Sequence, residues 1–196
     1  MNKIKTTLAT LIAAISLTSC SDWLDVSPKS QIKEEDHFSR EGGYKDQLTG
    51  IYTAMSQQAM YGLNMGIGFT EVLSHSYDID ASGSWRYANE FDYKNSSVES
   101  TIATIWQQTY NSIANVNILI RNINEASPQL FTENHYDTYR GEAYGLRGFL
   151  HLDLMRLFAC APSMDSNAKG VPYVTEYSTE VVGQKTVKET MQMVID

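Results

Sequence analysis

Two stretches of sustained helical periodicity constrain this chain more than any other feature. From Val98 onward Ile102, Ile105, Trp106, Thr109, Ile113, Val116, Ile120 and Ile123 recur at steps of three and four, which places them on one stripe of a helix. The stripe ends before Ser127 and Pro128, where a helix stops because proline lacks an amide donor and restricts the residue before it. A second pattern runs from about Thr132 through Phe158 and turns Tyr136, Tyr139, Ala143, Leu146, Leu150, Leu154 and Leu157 inward. So short a connection makes the two helices antiparallel neighbours, each burying its stripe on the other. Gly141, Gly145 and Gly148 are expected to give the second helix a thin face for close approach, at a cost in helix propensity that packing must offset.

The flanking segments extend this all-α reading. Ser39 offers an N-cap, and from Tyr44 the positions Leu48, Ile51, Tyr52, Met55 and Ala59 share one helical face, weakened by Gly50. Residues 61–97 are rich in Gly, Ser and Asn and lack a sustained period, so they read as a long excursion of the functional or disordered kind. A second loop over 160–185 holds Pro162, Gly170 and Pro172. Thr186 and Glu189 then form a T-x-x-E capping box that opens a helix. That helix is shorter than the length at which isolated helices hold, so the pattern reads as an element cut short. Helix pairs of this length resemble tetratricopeptide-type repeats, whose period is about 34 residues.

The amino-terminal region is organised differently. Lys3 and Lys5 precede an apolar run from about Leu8 to Leu17 and the small residues Thr18 and Ser19, the order of a secretory signal peptide. The run falls short of the roughly 20 residues a spanning helix needs. Leu17, Thr18, Ser19 and Cys20 resemble a bacterial lipobox. That resemblance implies cleavage before Cys20, a diacylglycerol thioether on its sulfur and acylation of the new amino terminus, and several chains anchor stably where one does not. An ordinary signal peptide followed by a stray cysteine is the alternative. The expected organisation is a signal peptide over 1–19, a lipidated amino terminus and tether over 20–38, and a helical domain over 39–196.

Cleavage would remove two of the 15 basic residues and leave 13 against 23 acidic ones, a formal charge of −10. Such a balance offers nucleic acid no electrostatic footing. With Cys20 acylated, Cys160 has no intrachain partner, so no disulfide framework is expected and Cys160 reads as a small hydrophobe at a helix end.

Within the 61–97 excursion, Trp85, Arg86, Tyr87 and Asn89 place aromatic and hydrogen-bonding groups together on a polar loop and are the candidate ligand contacts. Packing against the body is the bland alternative for each. Trp23 and Trp106 are poorer candidates, one beside the tether and the other on the core stripe. Asp78, Asp80, Ser82 and Gly83 follow the first half of a calcium loop, but Arg86 and Asn89 stand where its later ligands belong, and an Asx-type turn accounts for the aspartates. Asp78, Asp80, Glu90 and Asp92 could supply the paired carboxylates of a glycoside hydrolase, although nothing in their spacing sets the required separation. His37, His75, His135 and His151 are scattered without zinc spacing, and no nucleophile elbow or phosphate loop occurs. His151 is expected to be a hydrogen-bonded core histidine, and Arg147 and Arg156 to pair with Glu142 or Asp153. No cofactor is expected.

The segment "GEAYGLRGFLHLDLMRLFACAP" resembles the signature of the SusD/RagB family, surface lipoproteins of Bacteroidetes nutrient-uptake systems. Gly141, Glu142, Ala143, Leu146, Arg147, Asp153, Leu154, Arg156, Leu157, Phe158 and Pro162 stand where that motif expects them. Tyr144, Gly148, Leu152 and Ala159 depart from it. "CSDWLDVSPKS", "WQQTYNSIANVNILIRNI" and "TVKETMQMVID" resemble the family's mature opening and two of its helices. The resemblance implies an all-α, tetratricopeptide-like fold with long loops, of which this chain is an amino-terminal portion. It further implies an outer-membrane, lipid-anchored, surface-exposed protein that binds a glycan, or in some members a peptide, and works with a SusC-like TonB-dependent transporter without catalysing a reaction. A helical-repeat scaffold lipoprotein without ligand and a glycoside hydrolase are the competing readings.

Overall fold

The computed structural model describes residues 33–196. The signal peptide, Cys20, Trp23 and most of the expected tether lie outside the described residues. Residues 33–37 hold a single helical turn, α1 (Glu34–His37), whose last amide donates to Lys33 O at 2.9 Å. Residues Phe38–Asp196 form the body described below.

Six further α-helices carry the body: α2 (Glu41–Met55), α3 (Phe69–Leu73), α4 (Arg86–Asn89), α5 (Ser96–Glu125), α6 (His135–Phe158) and α7 (Val187–Ile195). The described residues form no strand, only an isolated antiparallel bridge between Lys169 and Thr186. The helix expected from Val98 begins at Ser96, because the Asn95 side chain caps it by accepting from Ser97 N–H at 3.0 Å. After Ser127, Pro128 starts a short 3-10 turn, Pro128–Leu130, as the breaker signal requires. The helix expected from Thr132 begins only at His135. Both the backbone N–H and the hydroxyl of Thr132 go instead to the Glu41 carboxylate, tying the connection to the start of α2.

Contacts along α5 and α6 run in opposite senses. Arg140 Nε donates to Asn124 Oδ1 at 3.0 Å, Arg147 reaches Asn117, and Phe158 meets Trp106 edge-on at 4.9 Å between centroids. Helix α2 is likewise antiparallel to α5, since Tyr44 Oη donates to Asn122 O and Gln47 Nε2 to Asn115 Oδ1. The sequence stripes meet in this three-helix core. Ile51, Ile113, Val116, Leu119, Ile123, Ala143, Leu150 and Leu154 are all buried, and the larger side chains contribute on the order of 1.5–3 kcal/mol each.

Several expectations are corrected by the fold. Helix α2 starts at Glu41 after Arg40, with no side-chain cap, and ends at Met55, so Ala59 lies beyond it and Tyr52 points outward toward Glu142. Tyr136, Tyr139 and Leu157 are half-buried rather than core. The three glycines do not form one thin face: Gly141 and Gly145 are exposed with nothing near the position a Cβ would take. Only Gly148 abuts a neighbour, and that neighbour is α7, whose Val194 O would lie 3.1 Å from an added Cβ. Cys160 is half-buried just past the end of α6.

The capping box that opens α7 is complete. Thr186 Oγ1 accepts from Glu189 N–H at 3.2 Å, and the Glu189 carboxylate accepts from Thr186 N–H at 2.9 Å. Ahead of it, the 160–185 loop crosses the body and buries Val171 and Tyr173. Its anchor is His151, which is fully buried as expected. His151 Nδ1–H donates to Arg147 O at 2.8 Å, Nε2 accepts from Val174 N–H at 3.0 Å, and the ring stacks on Tyr173 at 4.0 Å. Those partners require a neutral ring, and burial pushes its pKa down to about 4.

Candidate functional site

The long excursion is built on turns rather than on a repeating period. After Met55 the chain turns at once, with Tyr61 N–H donating to Met55 O and Met65 N–H to Met60 O. Met60 plugs the excursion into the three-helix core, where it is essentially inaccessible. Phe69 and Val72 from α3 and Ala88 from α4 then pack on Val98 and Ile105, forming a second apolar cluster on the first turns of α5. The excursion expected as a loop thus contains two short helices and shares a small core with α5. Helices of five and four residues are too short to show a period in sequence.

This scaffold brings the four candidate residues onto one helical turn but gives them different surroundings. Trp85 is half-buried, 6.3 Å from the Phe69 ring, and walls a shallow groove of about 220 Å³ with Ser84, Ser97 and Thr101. The Arg86 guanidinium lies over the Tyr87 ring, 4.3 Å from its centroid, while donating to the Tyr87 hydroxyl and to Ala81 O. The hydroxyl contact raises the pKa of Arg86. The backbone oxygen of Asn89 pairs with His75 Nε2 at 3.0 Å. Trp85 therefore faces a groove, whereas Arg86 and Tyr87 are already engaged with each other.

Of the two aspartates expected to make an Asx-type turn, Asp80 makes it. Asp80 Oδ1 accepts from Ser82 N–H at 2.7 Å and from the Ser82 hydroxyl, and these bonds hold its carboxyl below the usual range. Among the described residues no group of three or more His, Cys, Asp or Glu is placed to hold a metal ion.

Sequence reasoning missed a set of aromatic rings that the excursion exposes. His75, Tyr77, Phe91 and Tyr93 are all exposed, and the available signal was the aromatic pair of "FDY", which two-residue spacing puts close together. It also missed a polar cavity of about 420 Å³ on the outer side of α5 and α6, walled by Asn117, Asn124, Tyr144, Arg147 and Tyr177. Arg147 does not pair with Glu142 or Asp153 as expected. It reaches Asn117 Oδ1 and Thr175 O, because its place on α6 faces the crossing loop. Arg156 does pair with Asp153 at 2.8 Å, and Asp153 also accepts from the Tyr61 hydroxyl at 2.7 Å. Burial, followed by that carboxylate, raises the pKa of Tyr61.

Comparison with known proteins places this geometry. Residues 22–196 match the SusD-like family model described as starch-binding associating with outer membrane. The SusD-like proteins P2 and P38 of Formosa agariphila are 26% and 29% identical over 167 residues, covering 84% and 83% of this chain. Those matches span 32% and 31% of the two relatives, so the chain corresponds to about a third of their length. Among solved structures, a putative sugar binding protein from Bacteroides vulgatus has TM-score 0.65 at 22% identity, covering 80% of this chain and 35% of its own. A SusD superfamily protein from Bacteroides fragilis has TM-score 0.64 at 21% identity, covering 82% of this chain and 38% of its own. The all-α, tetratricopeptide-like architecture is common to them.

Proposed function

The chain belongs to the SusD-like family, and we propose that it is the amino-terminal part of a lipid-anchored glycan-binding protein on the outer membrane, working with a SusC-like TonB-dependent transporter. The observation that carries this reading is the family match, which begins at residue 22, just after Cys20, and runs to Asp196. Cys20 is the lipid attachment point in this proposal, residues 1–19 are the signal peptide, and residues 20–38 tether the helical body.

Ligand capture falls to the 61–97 excursion, with Trp85 at its groove and Arg86, Tyr87 and Asn89 around it. Aromatic surface flanked by a few hydrogen-bonding groups suits a sugar, whose ring has apolar C–H faces and a hydroxylated rim. Binding, not hydrolysis, is the activity proposed.

Three measurements test this reading. Lipid labelling and membrane fractionation should show the chain in the outer membrane and the Cys20→Ser variant released. Affinity electrophoresis in polysaccharide gels should retard the protein, and oligosaccharide release during incubation would overturn the binding-only reading. Co-purification should recover a large barrel transporter, whereas a scaffold without ligand would retain no glycan.

A further inference from the structure

The two short helices of the excursion end in the same way. At the end of α3, His75 N–H donates to Val72 O and Ser76 N–H to Glu71 O, both at 3.0 Å. At the end of α4, Phe91 N–H donates to Ala88 O at 3.0 Å and Asp92 N–H to Tyr87 O at 2.8 Å. Each pair of bonds is a Schellman cap, whose first residue past the cap takes a left-handed backbone and is usually glycine. Here those residues are His75 at φ 55° and Phe91 at φ 56°. Histidine enters that region more readily than most residues, but the bulky Phe91 is an outlier there, since its Cβ crowds the following carbonyl.

The two left-handed residues are partners. Their rings stack with centroids 5.0 Å apart and planes 22° apart, and Tyr93 continues the strip 6.3 Å from Phe91. His75 Nε2 bonded to Asn89 O links the two caps. Burial does not account for them. Phe91 and Tyr93 are 45% and 49% exposed, and none of the three residues belongs to either apolar cluster. A strained position that holds the Phe91 ring toward solvent points to a role outside the fold.

We propose that His75, Phe91 and Tyr93 form a preorganised aromatic platform that binds the C–H face of a hexopyranose unit in a neutral glycan. This rests on the glycan-binding reading above and adds to it a further set of contact residues and the charge class of the ligand. Rings held by caps and by mutual stacking lose little side-chain freedom on binding, which favours affinity. Charge selects against acidic polysaccharides. Residues 71–94 hold five carboxylates, Glu71, Asp78, Asp80, Glu90 and Asp92, against two cations, of which Arg86 is engaged with Tyr87. A uronate or sulfate would meet like charge there.

The caps permit a test that separates binding from folding. Phe91→Gly and His75→Gly put the residue the backbone prefers at the left-handed position and delete the ring, while Tyr93→Ala removes a ring outside either left-handed position. The full chain and its variants are compared by affinity electrophoresis in neutral gels (amylopectin, mixed-linkage β-glucan, galactomannan) and acidic ones (polygalacturonate, alginate), with thermal midpoints measured alongside. The parent should be retarded by at least one neutral polysaccharide and by neither acidic one. Phe91→Gly and Tyr93→Ala should each lose tenfold or more in affinity, with the midpoint of Phe91→Gly unchanged or raised. Undiminished retention in the variants, or retention by acidic polysaccharides alone, overturns the platform and leaves glycan binding standing. A midpoint that falls in Phe91→Gly while retention persists marks the rings as a structural clasp and also overturns it. A parent retarded by no polysaccharide overturns the platform and the glycan-binding reading together.

Discussion

The α5–α6 hairpin and the 61–97 excursion are neighbours in space yet are held by different physics. The hairpin is stabilised by a long apolar seam, with Ile113, Val116, Leu119, Ile123, Leu150 and Leu154 buried on one another. The excursion buries only Phe69, Val72 and Ala88 in a small core shared with Val98 and Ile105 of α5, and it relies on turns, caps and the Met60 plug. A seam tolerates exposed or polar residues elsewhere on its helices because its energy is spread over many contacts. A cap-and-turn segment concentrates its stability in a few backbone bonds, which leaves its side chains available for a ligand. Local opening should therefore begin in the excursion.

The sharpest test of this contrast is a pair of truncations. Leu154→Ala should cost about 4 kcal/mol of global stability, read from chemical denaturation, because a fully buried leucine leaves a cavity. Phe69→Ala should cost about 3 kcal/mol in hydrogen-exchange protection confined to residues of the excursion. Equal loss of protection throughout the body would show that the two regions are one cooperative unit.

His151 links the hairpin to the crossing loop and makes a pH prediction. Its folded pKa of about 4 lies below the unfolded value near 6.5, so the unfolded chain takes up the proton first as pH falls. The associated stability is fully present above pH 6.5 and is lost as pH drops to about 4, on the order of 3 kcal/mol. Urea midpoints measured from pH 7 to pH 4 should fall more steeply in the parent than in His151→Gln. Parallel curves would remove His151 as the cause.

Smaller effects test local elements. Thr186→Ala removes one half of the capping box and should cost about 1 kcal/mol, with fraying at the start of α7 visible in amide exchange. Gly141→Ala should stabilise α6 by about 0.5–1 kcal/mol, since an added Cβ meets nothing within 4 Å, as a rise in the thermal midpoint would show. Gly148→Ala should lack that gain, because its Cβ would press on Val194 O.

Legibility followed the same division. The stripe from Val98 to Ile123, the breaker at Pro128 and the T-x-x-E box were all readable, because each is a local pattern with a local physical consequence. His151 and the Arg156–Asp153 pair were also anticipated from their place on a helix. Helices α3 and α4 were not, since a period cannot be detected in five residues and their caps lack the glycine that signals a Schellman motif. Trp85 was correctly put in the excursion, but its groove depends on Phe69, Ser97 and Thr101, which are distant in sequence. Arg86 and Tyr87 looked available as neighbours in a polar loop, and the fold turned them toward each other.

The sequence alone determined the helical class, the antiparallel pairing and the family, because these rest on periodicity, chain connection and ordered motifs. Tertiary structure decided which of the three α6 glycines matters, where Arg147 points and which aromatic rings meet solvent. Those outcomes depend on what approaches a residue from elsewhere in the chain. Gly141 and Gly148 are the same residue type on the same helix, and only the arrival of Val194 distinguishes them.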